Sequence, residues 1–306
     1  MTDTARSCPN CGAAVTFAPD VISDRCVFCE SALIAGSAST EHADRVAPFL
    51  VDRNAAAERL TAHLAGQWLA PKHVRETRSP EKLKGVLVPF WVHDAVARSR
   101  WDAMVGVHWY RTETYWVTVT RDGKTTRERR TRVVQETEWF PTEGTHGATY
   151  RNHLVSGSQG IPEGEANALE PFDLGGALPY APELLAGWVA ESPTIPRAQA
   201  ASVARTELQG AEVNAVRAFL PGDVSRSVDV QSTIDVDPGR LVLLPVWVAT
   251  YQWEDEVHRL LVNGQTGELV GAVPKAWAKI ALVVVAGLFA AALLVAFILA
   301  FAAAVQ

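Results

Sequence analysis

The sequence has no cysteine after residue 29, and this absence excludes several classes of protein. With only four cysteines, all near the N-terminus, the rest of the chain has no thiol nucleophile and no disulfide framework. A basic surplus is also missing, because 28 Lys and Arg residues stand against 34 Asp and Glu residues, for a formal net charge of -6. Bulk charge therefore does not favour a nucleic-acid-binding protein. The first residues contain no apolar run, so we expect no secretory signal peptide.

Recognisable catalytic motifs are absent as well. Residues 123–125 (Gly-Lys-Thr) resemble the end of a phosphate-binding loop, but Thr118 stands where that loop needs its first glycine. The helical zinc-protease motif does not occur, and residues 156–160 lack the order of a nucleophile elbow. His93 and Asp94 are adjacent, but neighbours on a strand point to opposite faces. We therefore expect no enzymatic activity, and a helicase is excluded by the missing ATP-binding loop.

The four cysteines form two C-x2-C pairs. Cys8 and Cys11 are followed, after residues 12–25, by Cys26 and Cys29. Two thiolates separated by two residues point from one tight turn at a single ion, and two such turns complete a tetrahedral site. The spacing predicts a zinc ribbon, with two disulfides or a rubredoxin-like iron site as the alternatives. Four protein ligands leave no position for a substrate, so the expected Zn2+ is structural.

The C-terminal stretch is long, apolar and uncharged. Residues 280–305 contain no charged residue and no proline, and as a helix they would measure about 39 Å, against about 30 Å for the hydrocarbon core of a membrane. Lys275 and Lys279 precede this stretch, which favours a cytosolic flank. We therefore expect a single-pass, tail-anchored protein of the cell membrane with residues 1–274 in the cytosol, in contact with the lipid bilayer. A buried core helix is the alternative. Small residues spaced four apart could let a second transmembrane helix approach and form an oligomer, but we favour a generic anchor rich in Ala, Leu and Val.

The expected fold class is α+β, with an N-terminal zinc ribbon, a β-rich mixed domain with antiparallel hairpins and a single C-terminal transmembrane helix. Residues 196–220 have the pattern of a helix, while Asp-Gly at 122–123 and Asn-Gly at 263–264 indicate tight hairpins. The sequence around 85–95 is echoed around 241–251, which predicts two equivalent strands or, alternatively, two unrelated buried strands. The expected segments are the zinc ribbon (1–36), a linker (37–47), the cytosolic α+β domain (48–274) and the membrane anchor (275–306).

The strand pair around residues 122–123 is the most polar part of the chain. A two-residue turn there would place Glu113 opposite Arg132 and Tyr115 opposite Arg130. Charged side chains would then lie on both faces, so the tip of the hairpin projects into solvent. The Arg-rich segment 121–132 suits a contact with anionic lipid or nucleic acid, but we favour a solvated ribbon whose charges balance one another.

Five motifs together resemble one bacterial family. They are Cys-Pro-Asn-Cys-Gly at 8–12, Gly-Val-Leu-Val-Pro-Phe-Trp at 85–91, Leu-Ala-Gly-Trp-Val-Ala-Glu at 185–191, Leu-Pro-Val-Trp at 244–247 and Val-Asn-Gly-Gln-Thr-Gly at 262–267. In these motifs the chain is similar to zinc-ribbon membrane proteins of the YdjG type, which are encoded near phage-shock and flotillin-like (SPFH) proteins.

The resemblance implies a non-enzymatic, membrane-anchored scaffold or adaptor that recruits protein partners at the cytosolic face, in connection with envelope stress. Phage-shock or SPFH-type proteins are the partners that it implies. The alternative is a membrane-tethered zinc-ribbon protein that binds nucleic acid. We do not favour this alternative, because Arg6 and Arg25 are outnumbered by the carboxylates within residues 1–35, and phosphate binding depends on the number of cations engaged.

Overall fold

The secondary structure is taken from a computed structural model, which describes residues 4–7, 14–17, 21–25, 32–34, 41–71, 83–121, 124–253 and 256–304. The strands are β1 (Thr4–Ser7), β2 (Ala14–Phe17), β3 (Val21–Arg25), β4 (Ala32–Ile34), β5 (Arg45–Val46), β6 (Leu83–Arg121), β7 (Lys124–Ser156), β8 (Leu178–Pro179), β9 (Val189–Glu191), β10 (Val224–Val236), β11 (Arg240–Trp253), β12 (Glu256–Asn263) and β13 (Leu269–Val270). The α-helices are α1 (Arg53–Gly66), α2 (Glu163–Leu169), α3 (Arg197–Phe219) and α4 (Trp277–Ala304), and a 3-10 helix covers Pro182–Leu185.

The chain divides into two units, which are described one after the other. Unit 1 contains residues 1–91, 155–196 and 240–306, and unit 2 contains residues 92–154 and 197–239. Strands β6 and β7 each have one part in unit 1 and one part in unit 2, because they are much longer than the other strands.

The strands of unit 1 form a mixed sheet in the order β13-β12-β11-β6-β9-β3-β4. The pairs β11–β12 and β3–β9 are antiparallel, whereas β6–β9 is parallel. Strand β3 was expected in a zinc ribbon ending at residue 36, yet it pairs with β9, and the buried Ser23 hydroxyl donates to the carbonyl oxygens of Leu185 (2.9 Å) and Trp188 (2.6 Å). The expected fold class, an α+β protein with a separate zinc ribbon and a transmembrane helix, is therefore wrong: the described strands form a β-rich mixed sheet that includes β3 and β4, and no described helix meets the requirements of a membrane span. Strands β3 and β9 are more than 150 positions apart, and turn signals in the sequence mark only pairs of strands that are joined by a short connection.

Helix α1 covers part of this sheet. Asp52 caps its first turn, since the carboxylate accepts a hydrogen bond from the backbone N–H of Ala55 at 2.8 Å. Leu60 and Leu64, one helical turn apart, are buried against Trp247 and its neighbours. The Trp247 indole N–H donates to the carbonyl of Val51 at 2.9 Å, which fixes the start of the helix on the strand.

Two parts of unit 1 make the same set of hydrogen bonds. The N–H of Gly157 donates to the carbonyl of Pro89 (2.9 Å), and the N–H of Gly264 donates to the carbonyl of Pro245 (2.8 Å). The carbonyl of each glycine then accepts two successive backbone N–H groups. They belong to residues 194 and 195 in the first case and to residues 50 and 51 in the second.

Two tryptophans and two short parallel strands also have equivalent contacts in these two parts of unit 1. The indole N–H of Trp91 donates to the carbonyl of Ile195 at 2.9 Å, as that of Trp247 does to Val51. Strand β9 pairs parallel with β6, and β5 pairs parallel with β11 in the equivalent register, Val86↔Val189 matching Val242↔Arg45. The same backbone and side-chain contacts therefore occur twice in unit 1. We call them the two copies of the repeated arrangement, one around Pro89, Trp91 and Gly157 and the other around Pro245, Trp247 and Gly264.

The two hairpins of these arrangements differ greatly in length. Trp91 and Gly157 are 66 positions apart, whereas Trp247 and Gly264 are 17 apart. The β11–β12 hairpin turns soon after the shared part, while β6 and β7 continue for most of their length before they turn. The extension of β6–β7 is therefore not needed to build the repeated arrangement.

In unit 2, α3 and β10 pack against the part of the β6–β7 extension that is nearest to unit 1 in sequence. Strand β10 pairs antiparallel with β6 from Val236↔Ala95 to Val224↔Gly106. The helix buries one side chain per turn, and two apolar clusters join it to the strands, one at Leu208 and Ile234 and the other at Trp101 and Val216. The five buried helix positions are Ala200, Ala204, Leu208, Glu212 and Val216.

The C-terminal stretch forms helix α4, but the prediction of a transmembrane span at 280–305 is contradicted. No helix in the described part of the chain combines the length and the apolar character that a membrane crossing needs. The single-pass, tail-anchored topology and the assignment to the cell membrane are corrected with it. Association of two copies through this helix stays a prediction.

Candidate binding surface on the β6–β7 ribbon

The outer part of the β6–β7 hairpin is a two-stranded ribbon. We call residues 107–121 and 124–138 the free ribbon, because β10 pairs with β6 no further out than Gly106. Among the described residues, no other strand pairs with the free ribbon. Both of its faces therefore reach solvent, as the sequence predicted.

The register of the free ribbon follows from its side-chain contacts. Arg132 donates to one carboxylate oxygen of Glu113 from Nε (2.9 Å) and from a terminal nitrogen (2.7 Å), which confirms the predicted pairing. Nearer the tip, the hydroxyls of Thr120 and Thr125 lie 3.3 Å apart. Both pairs fit a two-residue turn at 122–123, although those two residues lie outside the described part of the chain.

One face of the free ribbon carries its ion pairs. Besides the Glu113 pair, Arg111 Nε lies 2.9 Å from a carboxylate oxygen of Glu136, and Arg130 lies 3.3 Å from Glu128. The hydrogen bond and the charge of Arg132 lower the pKa of Glu113, and the hydrogen bond to Glu136 raises the pKa of Arg111. We call this side the ion-paired face, and its charges largely cancel.

The opposite face has cations and aromatic rings but no carboxylate. Trp116 and Tyr110 are 59% and 64% exposed, and Val133 is 69% exposed. The guanidinium of Arg127 lies 5.7 Å from the centre of the Trp116 ring, within the range of a cation–π contact. Arg129 has no acidic partner among the described residues. Since side chains alternate along a strand, we call the side with these five residues the unpaired face.

A buried polar cluster in unit 2 is the arrangement that most resembles an active site. Glu212 is fully buried, and its carboxylate accepts hydrogen bonds from Ser99 Oγ (2.8 Å), Tyr150 Oη (2.8 Å) and His146 Nδ1. The Ser99 hydroxyl is also 2.8 Å from that of Ser232. Ser99 and His146 bind the same oxygen of Glu212, so the imidazole is not placed to take a proton from the serine, as a catalytic triad requires.

The electrostatics of this cluster favour a charged glutamate and a neutral tyrosine. Burial raises the pKa of Glu212, but the hydrogen bonds from His146, Ser99 and Tyr150 and the charge of His146 outweigh it, so the net shift is downward. Burial, helped by the hydrogen bond to Glu212, raises the pKa of Tyr150 to about 12. The arrangement fastens α3 to the strands of unit 2. Sequence reasoning missed Glu212, although its place in the four-residue spacing of buried positions on α3 is a usable signal.

The predicted zinc ligands Cys8, Cys11, Cys26 and Cys29 lie outside the described residues. Where the structure describes side chains, no group of three or more His, Cys, Asp or Glu residues could hold a metal ion. The flanking strands are informative, however. Strand β1 pairs with β2 through Ser7↔Ala14, and β3 pairs with β4 through Arg25↔Ala32. Each cysteine pair thus falls at the same place in connections of equal length, residues 8–13 and 26–31, as two equivalent metal-binding turns require.

Comparison with known proteins gives one distant relative. No protein-family model matches the chain, and no solved structure matches it. The uncharacterized protein YdjG of Bacillus subtilis (strain 168) is 24% identical over 239 residues, which are 78% of this chain. The chain spans 65% of the length of that relative. The similarity to YdjG expected from the motifs is therefore found, and it assigns no metal, membrane or partner to this chain.

Proposed function

We propose that this chain is a non-enzymatic adaptor that binds protein partners through the free ribbon. The observation that carries the proposal is the extension of one hairpin, beyond anything the repeated arrangement needs, into a ribbon with exposed aromatic side chains. An exposed two-stranded ribbon contributes little to its own stability. Large apolar side chains held in solvent on such an element are typical of a binding surface.

A protein partner fits the ribbon better than a nucleic acid does. Proteins that bind nucleic acid tightly use about 6–10 cations, each of which releases a counterion. On the unpaired face of the free ribbon, Arg127 and Arg129 lack carboxylate partners in the part of the chain that the structure describes, and two cations would make only a small electrostatic contribution. Protein interfaces, in contrast, gain most of their free energy from a few residues, in which Trp, Tyr and Arg are enriched.

The proposal includes a structural Zn2+ bound by the four cysteines. The cysteines occupy the first and fourth positions of both connections, 8–13 and 26–31, and this supports a tetrahedral site with four thiolate ligands and no open position. Because β3 and β4 belong to the sheet of unit 1, the bound ion would hold the two connections together next to that sheet. Its role is to order residues 1–36, and we assign it no catalytic step.

Photocrosslinking of the full-length chain tests the adaptor function. A photoreactive amino acid at position 133 (69% exposed) is compared with the same amino acid at position 50 (65% exposed), which lies in unit 1. We expect a discrete nuclease-resistant adduct from position 133 and none from position 50. Phage-shock and flotillin-like (SPFH) proteins are the first candidates for the partner. The absence of any adduct at position 133, or its removal by nuclease, would overturn the proposal.

A shortened hairpin provides the second measurement. Replacing residues 108–137 with Asn-Gly joins Val107 to Glu138, which are cross-strand neighbours in the observed register. We expect the melting temperature to change little, because the deleted segment lies beyond β10 and α3. The same partner should no longer copurify with the shortened chain. Copurification at the level of the full-length chain would place the binding surface elsewhere.

A further inference from the structure

The free ribbon has two faces of different chemistry, and a partner bound to it must use one of them. Every ion pair found among the described residues of the free ribbon lies on the ion-paired face. The pairs are Arg111–Glu136, Arg111–Glu113, Arg132–Glu113 and Arg130–Glu128. An approaching charge meets neighbouring charges of both signs there. The electric fields of the two opposite charges in each exposed pair largely cancel at a distance, so this face attracts a charged group only weakly.

The unpaired face presents a field of one sign. Between positions 110 and 120 of β6 and between positions 125 and 135 of β7, the alternation places threonines, Gln135, two aromatics, Val133 and two arginines on this face. Arg127 and Arg129 are two residues apart on one strand, so their guanidinium groups project to the same side. Asp and Glu are missing from these positions, which leaves the positive charge uncompensated.

The position of Arg127 links this charge to an apolar contact. Its guanidinium lies over the Trp116 ring on the neighbouring strand, at 5.7 Å from the ring centre. A carboxylate that pairs with Arg127 would bring the adjoining part of its own chain against the indole. Trp116 is 59% exposed, so a ligand can pack against its ring. The face therefore selects a ligand with a negative group beside an apolar one.

We propose that the unpaired face binds an acidic segment of a partner protein in which carboxylates alternate with apolar side chains. Arg127 and Arg129 take the carboxylates, while Trp116, Tyr110 and Val133 take the apolar groups. A second copy of this ribbon face does not fit, because it would bring arginines against arginines. This inference rests on the proposed adaptor function and adds the face and the chemistry of the partner.

Adjacent positions on β6 separate the two faces. A photoreactive amino acid replaces Thr114, on the unpaired face, in one full-length variant and Tyr115, on the ion-paired face, in another. We expect an adduct from position 114 and little from position 115. Mass spectrometry of the adduct should find the crosslink in a partner segment rich in Asp or Glu. Equal adducts at both positions, or a crosslink to a segment without acidic residues, would overturn the assignment and leave the adaptor function intact.

Matched charge variants test the arginines. In the chain with the photoreactive group at position 114, Arg127→Gln with Arg129→Gln is compared with Arg130→Gln and Arg132→Gln. Both double variants change the net charge equally on the same strand, but on opposite faces. We expect the first to reduce the adduct at least about tenfold and the second by less than about twofold. Equal yields would exclude recognition of an acidic segment. The adaptor function itself fails if position 133 gives no adduct, whatever positions 114 and 115 give.

Discussion

At the scale of single residues, Glu212 shows how one buried carboxylate can organise its surroundings. An apolar residue at this place on α3 would leave Ser99, His146 and Tyr150 without their acceptor. Three donors directed at one carboxylate compensate for the loss of its hydration, which is why the charged form persists despite complete burial. Because the pKa of this carboxyl is lowered, its contribution to stability is present above pH 4.5 and is lost as the pH falls below that value.

Replacement of this carboxylate should be costly. We expect Glu212→Ala to lower the free energy of unfolding by about 3 kcal/mol, because it creates a cavity and removes the acceptor of three hydrogen bonds. Urea denaturation measures the change. Glu207→Ala is the control on the same helix. Its carboxylate lies 2.9 Å from His153, but both side chains are about a quarter exposed, so the loss should stay below about 1 kcal/mol. Equal losses for the two variants would contradict this account of the cluster.

Tyr150 should make the protein sensitive to alkaline pH. The pKa of its hydroxyl is raised from 10.0 to about 12, so above pH 10 the unfolded chain loses a proton that the folded chain retains. The stability from this group is therefore complete below pH 10 and disappears as the pH rises through about 12. In urea denaturation across this range, the difference between the wild type and Tyr150→Phe should shrink as the pH rises. A constant difference would show that the tyrosine does not titrate in this way.

At the scale of elements, the hairpins near the N-terminus connect the expected metal site to the body of unit 1. Strand β3 pairs with β4 on one side and with β9 on the other. If residues 26–31 become less ordered, we therefore expect the hydrogen bonds between β3 and β9 to become less stable. The cysteine spacing alone indicates a metal site, but it contains no information about this pairing, since β9 is more than 150 positions away.

Removal of one cysteine should disturb that connection. We expect the purified chain to contain about one Zn2+ and Cys26→Ser to contain none, because a site with three thiolates loses much of its affinity. Hydrogen exchange should become faster at the amides of β3 and should stay unchanged in β12, which lies at the other side of the sheet. Metal analysis and exchange mass spectrometry measure the two effects. A wild-type chain without zinc, or unchanged exchange in β3, would refute the proposal.

The free ribbon is the element that sequence reasoning predicted best. The Asp-Gly turn signal and the alternation along β6 and β7 were enough to place Glu113 opposite Arg132. The sequence interpretation nevertheless favoured a ribbon whose charges balance, and the structure divides those charges unevenly. In the described part of the ribbon, the ion pairs lie on one face, because odd positions of β6 meet even positions of β7 there and all four glutamates of the ribbon occupy these positions.

At the scale of the whole molecule, a repeated hydrogen-bonding arrangement underlies unit 1. Gly157 and Gly264 have the same role in its two copies, since a Cβ added at either position would come close to a proline carbonyl oxygen, at 2.9 Å from Pro89 and 2.7 Å from Pro245. Such approaches are shorter than real Cβ contacts, so the backbone would have to move. The six-residue echo in the sequence marks the strands of this arrangement, but not the glycines or the residues that they bind.

Equivalent substitutions should therefore have equivalent effects. We expect Gly157→Ala and Gly264→Ala each to lower the free energy of unfolding by about 2 kcal/mol, in line with other overpacked sites. Gly164→Ala, in α2, is the control, because a Cβ there would have no neighbour within 4 Å. That variant should be neutral or slightly stabilising. Urea denaturation compares the three. A large effect at only one of the first two glycines would show that the copies differ energetically.

The sequence by itself determined what depends on near neighbours in the chain. This includes the register of the β6–β7 ribbon, the helix at 197–219 and the spacing of the cysteine pairs, because turns, helices and metal-binding knuckles are built from residues a few positions apart. Only the tertiary structure decided the parallel pairings of β5 and β9, the inclusion of β3 in the sheet and the burial of Glu212. These depend on which distant segments meet, and no local pattern of side chains specifies that.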